Sequence, residues 1–302
     1  MKFKSTSIEL LNDFFDDLNR KGFQFPDFTN EKEIIIFSDY SGDRTEDNYY
    51  AYAYYIVDSS AMLDAAGHIM AFRHKNPGLR DTSFIEYKKL NRSPLRQKLL
   101  PHFLGIFDQI KGLVITILVD KKAPDYFFKV NDEQAKKIYE LGGGQWKPEI
   151  LRKQSNIFSL LAFLVKRFLD SRATFTWYSD RDPIFGSNQI TKALTLELLS
   201  KFLAAYEVNM NGLQYRFISD NGTPLNSDFL AISDLAAGSI LEYYQYGYQN
   251  QNLKETTKTV IGWMANNNMP LKKLMMIGGE ENNNKKLTTL DNYGRQTPRG
   301  CF

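Results

Sequence analysis

The chain alternates between short apolar runs and longer stripes of apolar residues at helical spacing. The short runs predict six strands, at residues 33–39, 49–58, 83–90, 112–120, 173–180 and 214–220. The polar segment "YSGDRTEDN" joins the first two runs, which predicts a hairpin. A hairpin followed by alternating helices and strands predicts an α/β domain with a mixed sheet.

The helical stripes are bounded by start and stop residues. Thr6 and Glu9 have capping-box spacing, Gly22 follows that first stripe, and Ser93 precedes Pro94 at the start of a second one. Further stripes predict helices near 148–170, 190–202, 227–246 and 257–265. We therefore expect a helical N-terminal extension over 1–30, an α/β domain over 31–248 and a helical and polar C-terminal extension over 249–302.

Composition restricts the chemistry more than the class of partner. The net charge of +3 is too mild to indicate a nucleic-acid partner on its own. One cysteine, Cys301, and three histidines, His68, His74 and His102, argue against a zinc site and against a cysteine nucleophile. Any bound metal would need mainly oxygen ligands, which Mg²⁺ and Mn²⁺ prefer.

Hydropathy gives no sign of a membrane partner or of secretion. The longest apolar run, "LLAFLV" at 160–165, is far shorter than a membrane span, and the first residues lack the pattern of a signal peptide. We expect a soluble, cytoplasmic protein.

Three of the predicted strands end in an aspartate: Asp39, Asp120 and Asp180. Sites in open α/β sheets lie at the carboxyl ends of parallel strands, so these three carboxylates are expected to converge if their strands are parallel neighbours. The alternative is ordinary turn chemistry, because Asp followed by Tyr-Ser-Gly commonly starts a turn.

Asp234 is the only charged residue between Asp228 and Glu242, in the apolar helical segment "FLAISDLAAGSIL". A carboxylate on a buried helix face needs a cationic partner, a bound cation or a raised pKa. A structural ion pair or a capping contact to another segment is the alternative explanation.

Glu86 precedes the densest basic cluster of the chain, Lys88, Lys89, Arg92 and Arg96. Such a cluster is by default a solvated surface, and it also suits contacts to phosphate. Carboxylates from several segments, without His or Cys, are the ligand set that two-metal phosphoryl transfer requires.

The order of these elements resembles the RNase H-like fold, with an Asp-ending strand, a hairpin, a helix, a second Asp-ending strand and a C-terminal helix bearing Asp. The motifs resemble more closely the family called domain of unknown function 3800. Its opening motif reads "FSDYSGD" here, its central Asp-Lys strand reads "ILVDKK", and its helical Asp with small residues reads "AISDLAAG". The resemblance covers about residues 33–246 and implies an RNase H-like mixed sheet with helices on both faces.

The resemblance also implies a site. Its catalytic carboxylates would be Asp39, Glu86, Asp120, Asp180 and Asp234, with Asp39, Asp120, Asp180 and Asp234 binding Mg²⁺ or Mn²⁺. Contacts to nucleic acid would come from Lys88, Lys89, Arg92 and Lys121. Asp182 and Asp220 are near alternatives to Asp180. Tyr40 stands where the family usually has Glu, which removes a possible ligand.

The function that follows is a metal-dependent nuclease that hydrolyses phosphodiester bonds of RNA or DNA by a two-metal mechanism. Families of this kind resemble components of bacterial or phage defence systems. Tyr40 favours an alternative, a catalytically inactive module that binds nucleic acid or a protein. A third possibility is an interaction protein that pairs through the edge of the aromatic hairpin "NYYAYAYYIV". A protein partner or a homo-oligomer is compatible with each of these readings.

Overall fold

The computed structural model describes residues 6–76, 79, 85–90, 92–123, 148–169, 174–179, 189–208, 214–219, 224–246, 253–281 and 284–289. Seven strands in these ranges form one sheet. The strands are β1 (Glu33–Ser41), β2 (Tyr49–Asp58), β3 (Gly112–Asp120), β4 (Thr174–Ser179), β5 (Gln214–Ser219), β6 (Leu271–Glu281) and β7 (Asn284–Thr289).

Helices precede, connect and cover these strands. In the described ranges they are α1 (Thr6–Arg20), α2 (Ser59–Lys75), α3 (Tyr87–Leu90), α4 (Pro94–Asp108), α5 (Pro148–Phe168), α6 (Gln189–Ala205), α7 (Pro224–Tyr246) and α8 (Glu255–Met264). None of the helices that the structure describes has the length and apolar character needed to span a membrane.

The sheet is mixed, with strand order β5-β4-β1-β2-β3-β6-β7. The pairs β1/β2, β2/β3 and β6/β7 are antiparallel, whereas β1/β4, β4/β5 and β3/β6 are parallel. Strands β1, β3, β4, β5 and β6 therefore run in one direction, and their carboxyl ends lie at one edge. The predicted mixed α/β sheet is confirmed. Because β2 lies inside the sheet, it has no free edge, and the predicted pairing of the hairpin edge with a partner is wrong.

Helices cover both faces of the sheet because its strands are apolar on both sides. Along β1, Ile34 and Ile36 belong to a core with α1, α5 and α6. The alternate residues Ile35 and Phe37 belong to a second core with α2, α4, α7 and α8. The period of two along a strand sends neighbouring side chains to opposite faces. Asp39 therefore points to the α7 face and Tyr40 to the other.

The "DYSG" motif ends β1 through the conformation of its glycine. Gly42 has a φ of +99°, and a Cβ there would lie 2.1 Å from the carbonyl oxygen of Tyr49. Only glycine tolerates both the left-handed backbone and this close approach. The hairpin loop thus leaves the sheet directly after the strand that carries Asp39.

The predicted strand at 83–90 is wrong where the structure describes it. Residues 87–90 form the short helix α3, and the amide groups of Lys89 and Leu90 donate to the carbonyl oxygen of Glu86 at 3.0 and 2.9 Å. Lys88 and Lys89 are both exposed, while Tyr87 and Leu90 are both buried. A strand would send consecutive residues to opposite faces, so this burial pattern requires a helical turn.

Helix α2 was not predicted, although its start signal is present. The side chain of Asp58 accepts hydrogen bonds from the amides of Ser60 and Ala61, both at 2.9 Å, as an N-cap residue does. The buried residues Met62, Ala65, Ile69 and Phe72 recur at helical spacing.

The expected polar C-terminal end instead contains β6 and β7, which extend the sheet beyond β3. The strand pattern of β6 is masked by Lys273, whose side chain is fully buried. Its Nζ lies 2.6 Å from Asp108 Oδ1, and Trp263 Nε1 donates to the same oxygen at 2.8 Å. An ion pair with a residue more than 160 positions away is therefore what permits a lysine inside this strand.

Candidate metal centre and adjoining cleft

Asp39 and Asp234 meet between β1 and α7. Helix α7 packs across β1, β2 and β3, and Ser233 Oγ donates to the carbonyl oxygen of Phe37 at 3.1 Å. This contact brings the next residue, Asp234, to Asp39, and their carboxyl groups share a hydrogen bond. Asp39 Oδ1 also accepts from the amide of Tyr40 at 2.8 Å. The structure thus joins two of the predicted site residues, which lie 195 positions apart.

Burial raises the pKa of Asp234 above its usual value, and the nearby charge of Glu86 raises it further. The Tyr87 amide, the hydrogen bond with Asp39 and the charge of Lys88 oppose that rise in pKa without cancelling it. Two carboxyl groups in contact resist simultaneous ionisation because their charges repel. A divalent cation between them would remove this repulsion.

Helix α3 brings Glu86 and Lys88 to the same place. The amide of Tyr87 donates to Asp234 Oδ2 at 2.7 Å, so the residues on either side of Tyr87 lie next to the carboxyl pair. Glu86 is part-exposed and is paired with Lys89 at 2.5 Å. A partly exposed pair between flexible side chains is weak, so Glu86 is able to turn toward a cation.

Tyr87 fixes α3 onto α7 because α7 has no side chain at the contact. A Cβ on Gly238 would lie 2.5 Å from the Tyr87 ring. The Tyr87 hydroxyl donates to Glu242 Oε2 and lies 2.7 Å from Thr257 Oγ1. Lys254 Nζ donates to the same Glu242 oxygen. Residues after position 249 therefore support the segment that carries Glu86 and Lys88.

The structure places Asp120 away from this pair. Asp39 is level with Ala53 on β2 and with Thr116 on β3, whereas Asp120 is level with Tyr49. Asp120 is thus two strands across and four residues further along, which separates the two Cα atoms by about 16 Å in a regular sheet. Its Oδ1 accepts from the amide of Lys122 at 2.8 Å, which is turn chemistry.

Lys121 also lies in a different environment from the carboxyl pair. Its Nζ donates to the carbonyl oxygen of Arg44 at 2.6 Å and sits 4.9 Å from the centre of the Tyr50 ring. Burial lowers the pKa of Lys121. Lys121 therefore braces the hairpin loop, and Asp120 and Lys121 are not brought to Asp39 and Asp234.

Asp180, Asp182 and Asp220 lie outside the described residues. Asp180 follows Ser179 in the sequence, and Ser179 pairs with Ser38, the residue before Asp39. The prediction that Asp180 is a ligand stays a prediction. Lys89 and Arg92 are exposed on and just after α3, on the same segment as Lys88.

A cleft of about 440 Å³ opens beside the carboxyl pair. One wall is the hairpin loop after β1, and the other is the last part of α7. Its lining residues are Tyr40, Ser41, Gly42, Asp43, Arg44, Asp47, Tyr87, Lys88, Gly238, Leu241, Glu242, Gln245, Tyr246 and Lys254. Of the predicted site residues, only Lys88 is among them.

The hairpin loop is anchored to α5, a helix for which the sequence predicts no role at the site. Lys153 is almost fully buried, and its Nζ lies 2.9 and 2.8 Å from the two carboxylate oxygens of Asp43. The signal in the sequence is the polar run "RKQSN" at 152–156 inside a helix that is otherwise buried.

The donor set fits an ion that prefers oxygen. Asp39 and Asp234 supply carboxylate oxygens in direct contact, and Glu86 is the third carboxylate within electrostatic reach of Asp234. In the described ranges, no group of three or more His, Cys, Asp and Glu side chains is already arranged around a common point. Glu86 would join the pair as a third ligand only after its side chain rotates toward Asp234.

No model of a known protein family matches the chain, and no curated protein matches its sequence.

Proposed function

We propose that the protein is a metal-dependent nuclease of RNase H-like fold that hydrolyses phosphodiester bonds of RNA or DNA. The observation that carries this proposal is the shared hydrogen bond of Asp39 and Asp234, two carboxyl groups held together at the carboxyl end of a central strand. The order of elements, with an Asp-ending strand, a hairpin and a late helix bearing Asp, supports the RNase H-like assignment.

Each residue of the site would have a separate role. Asp39 and Asp234 would hold Mg²⁺ or Mn²⁺ with Glu86 as a third ligand, and Lys88 would contact a phosphate of the bound strand. When bound, the ion supplies charge neutralisation at the reacting phosphate and lowers the pKa of water. The rigid sheet and α7 hold both aspartates in place before the substrate arrives. A second ion would require a further carboxylate, and Asp180 stays the predicted one.

Tyr40 does not by itself argue for loss of activity. Its side chain lies on the sheet face opposite to Asp39, and its hydroxyl is 2.7 Å from Ser38 Oγ. A different residue at position 40 would also point away from the carboxyl pair.

The test is cleavage of labelled RNA, DNA and hybrid strands by the purified protein, in Mn²⁺ and in EDTA. Cleavage is expected only with Mn²⁺. It should fall on the order of a hundredfold or more in Asp39→Asn and in Asp234→Asn, since a bound ion contributes several kcal/mol to the transition state.

The matched control is Asp64→Asn, which removes an exposed carboxylate on α2, outside the site and the cleft. It should cleave as the wild type does. If folded wild-type protein cleaves none of these strands, the nuclease proposal fails and a non-catalytic binding module takes its place.

A further inference from the structure

We propose that the cleft beside Asp39 and Asp234 binds one unpaired nucleotide, so that the protein acts on single-stranded nucleic acid. The consequence for cleavage rests on the proposed nuclease function, whereas the binding itself does not. The cleft is the space between the hairpin loop, residues 42–47, and the last two turns of α7.

The position of the cleft relative to the carboxyl pair is fixed by sequence neighbours. Tyr87 and Lys88 follow Glu86, and Gly238 lies about one helical turn after Asp234. A nucleotide in the cleft would therefore lie near the pair.

The walls of the cleft contain equal numbers of acidic and basic side chains, and most of the acidic ones have a partner. Asp43 is paired with Lys153, Asp47 is buried and accepts from the amide of Arg44, and Glu242 is paired with Lys254. Lys88 is exposed, and the Arg44 side chain is 68% exposed and lies 3.8 Å from Glu46 in a surface ion pair, which is a weak interaction. Lys88 and Arg44 are therefore the exposed cations of the cleft that are able to contact a phosphate backbone.

The far end of the cleft offers an aromatic surface. Among the described residues, Tyr246 is an exposed large side chain with an aromatic ring, at 38% exposure. The amide nitrogen of Gln245 donates to the Tyr246 hydroxyl and to the carbonyl oxygen of Glu46, both at 3.3 Å. These bonds hold the ring next to the loop, where a base is able to stack on it.

The size of the cleft suits one unpaired nucleotide. A volume of about 440 Å³ is in the range of pockets for one small ligand. A paired base lies inside its stack and reaches such a pocket only after it has been flipped out, whereas a single strand presents its bases at lower energetic cost.

The experiment measures binding by fluorescence anisotropy in EDTA, where cleavage does not interfere. The probes are labelled DNA and RNA 12-mers of mixed sequence, each single-stranded and as a duplex. The proteins are the wild type, Tyr246→Ala, Tyr246→Phe and Arg44→Ala. The matched controls are Tyr243→Ala, on the same helix outside the cleft, and Arg20→Ala, on α1.

The wild type should bind single strands more tightly than duplexes. Tyr246→Ala should weaken single-strand binding about fivefold or more because a stacking surface is lost. Tyr246→Phe should restore that binding, and Arg44→Ala should make it less sensitive to salt. Both controls should bind as the wild type does.

Equal or tighter binding to duplexes overturns the proposal, as does binding to neither form. Equal single-strand affinities of Tyr246→Ala and Tyr243→Ala also overturn it. Failure of the nuclease proposal gives a different result from failure of the binding proposal. In that case single strands bind through Tyr246, but no strand is cut in Mn²⁺.

Discussion

Helix α7 carries two buried or half-buried aspartates less than two turns apart, and their surroundings are opposite. The Asp228 side chain is 2% exposed, and its two oxygens accept from Arg73 Nε at 2.5 Å and from a terminal guanidinium nitrogen at 2.6 Å. Asp234 instead shares a hydrogen bond with another carboxyl group, and Glu86 adds a further negative charge.

The difference separates a structural carboxylate from a candidate functional one. Burial raises the pKa of Asp228, and Arg73 lowers it by a hydrogen bond and by charge, so its ionised form has a fixed partner. For Asp234 the side-chain partner is an acid, and none of the ion pairs found among the described residues gives it a comparable guanidinium fork. A protein keeps like charges together in this way mainly where they serve binding or chemistry.

We expect the largest change in stability from substitution of Asp228, the structural carboxylate. Asp228→Asn should lower the free energy of unfolding by about 3 kcal/mol because it leaves the mostly buried Arg73 without its charge partner. Urea unfolding followed by circular dichroism measures this change.

The control for Asp228→Asn is Asp64→Asn, which removes an exposed carboxylate from α2, the helix that carries Arg73. It should change the free energy of unfolding by less than about 0.5 kcal/mol. Equal effects of the two substitutions would show that the Arg73 pair does not stabilise the fold.

A somewhat smaller effect is expected where α3 docks beside Asp234. Gly238→Ala would place a methyl group 2.5 Å from the Tyr87 ring, so the ring and α3 must move. We expect a loss of about 2 kcal/mol of stability together with weaker Mn²⁺ binding, measured by calorimetry.

Gly67→Ala is the matched control, because a Cβ on Gly67 meets nothing within 4 Å and the residue also lies inside a helix. It should stabilise the protein by about 0.5–1 kcal/mol. If Gly238→Ala stabilises to the same extent, the Tyr87 contact does not position α3.

Tyr87→Phe should change stability less and metal binding more. The substitution removes the hydroxyl that reaches Glu242 and Thr257 but keeps the amide that donates to Asp234. We expect a loss of about 1 kcal/mol in stability and roughly tenfold weaker Mn²⁺ binding, because a group that supports the ligands is lost.

Tyr243→Phe provides the comparison for Tyr87→Phe, since Tyr243 is on α7 but does not line the cleft. Its Mn²⁺ affinity should equal that of the wild type. Unchanged Mn²⁺ affinity in Tyr87→Phe would reduce Tyr87 to a packing residue.

The pH dependence of stability gives a further test with a defined sign. The pKa of Asp234 is raised in the folded protein, so the fold binds this proton more tightly than the unfolded chain does. Ionisation of Asp234 therefore lowers stability at neutral pH, and this loss should disappear as pH falls through the raised pKa toward 3.8.

Subtracting the unfolding free energies of Asp234→Asn from those of the wild type isolates this effect. The wild type should be the less stable of the two at pH 7, and the difference should shrink as the pH is lowered. A difference that is constant with pH would mean that the pKa of Asp234 is the same in the folded and unfolded states.

Much of the fold and part of the site were predictable from local patterns. The apolar runs gave β1 to β5 within a few residues, and the lone charge in an apolar helix singled out Asp234. The hydrogen bond between Asp234 and Asp39 depends on how α7 crosses β1, which the local pattern does not contain. The prediction that Asp120 would lie beside Asp39 took no account of strand register. An Asp at the end of a strand reaches a shared site only if the neighbouring strands end at the same level, and Asp120 lies four residues beyond the level of Asp39.

Other features depend on partners that are distant in the chain. The lysine at position 273 obscures the strand pattern of β6, because its burial depends on the ion pair with Asp108. The structural role of Asp228 depends on Arg73, which reaches it only because α2 packs against α7. The helix at 87–90 was mistaken for a strand because its apolar residues are too few to establish a period. The cleft forms between a loop and the end of a helix, and neither segment has a motif of its own.

The cation site at Asp39 and Asp234 is tested by the stability of the wild type and of Asp234→Asn, each measured in EDTA and in Mn²⁺. If Asp39 and Asp234 form a cation site, Asp234→Asn should be more stable than the wild type in EDTA by on the order of 1 kcal/mol, because a repulsion between carboxylates is relieved. Mn²⁺ at about 100 times its dissociation constant should then stabilise the wild type by about 2.7 kcal/mol and leave the variant unchanged. A variant that is less stable than the wild type in EDTA and gains as much stability from Mn²⁺ would show that Asp39 and Asp234 do not form a cation site.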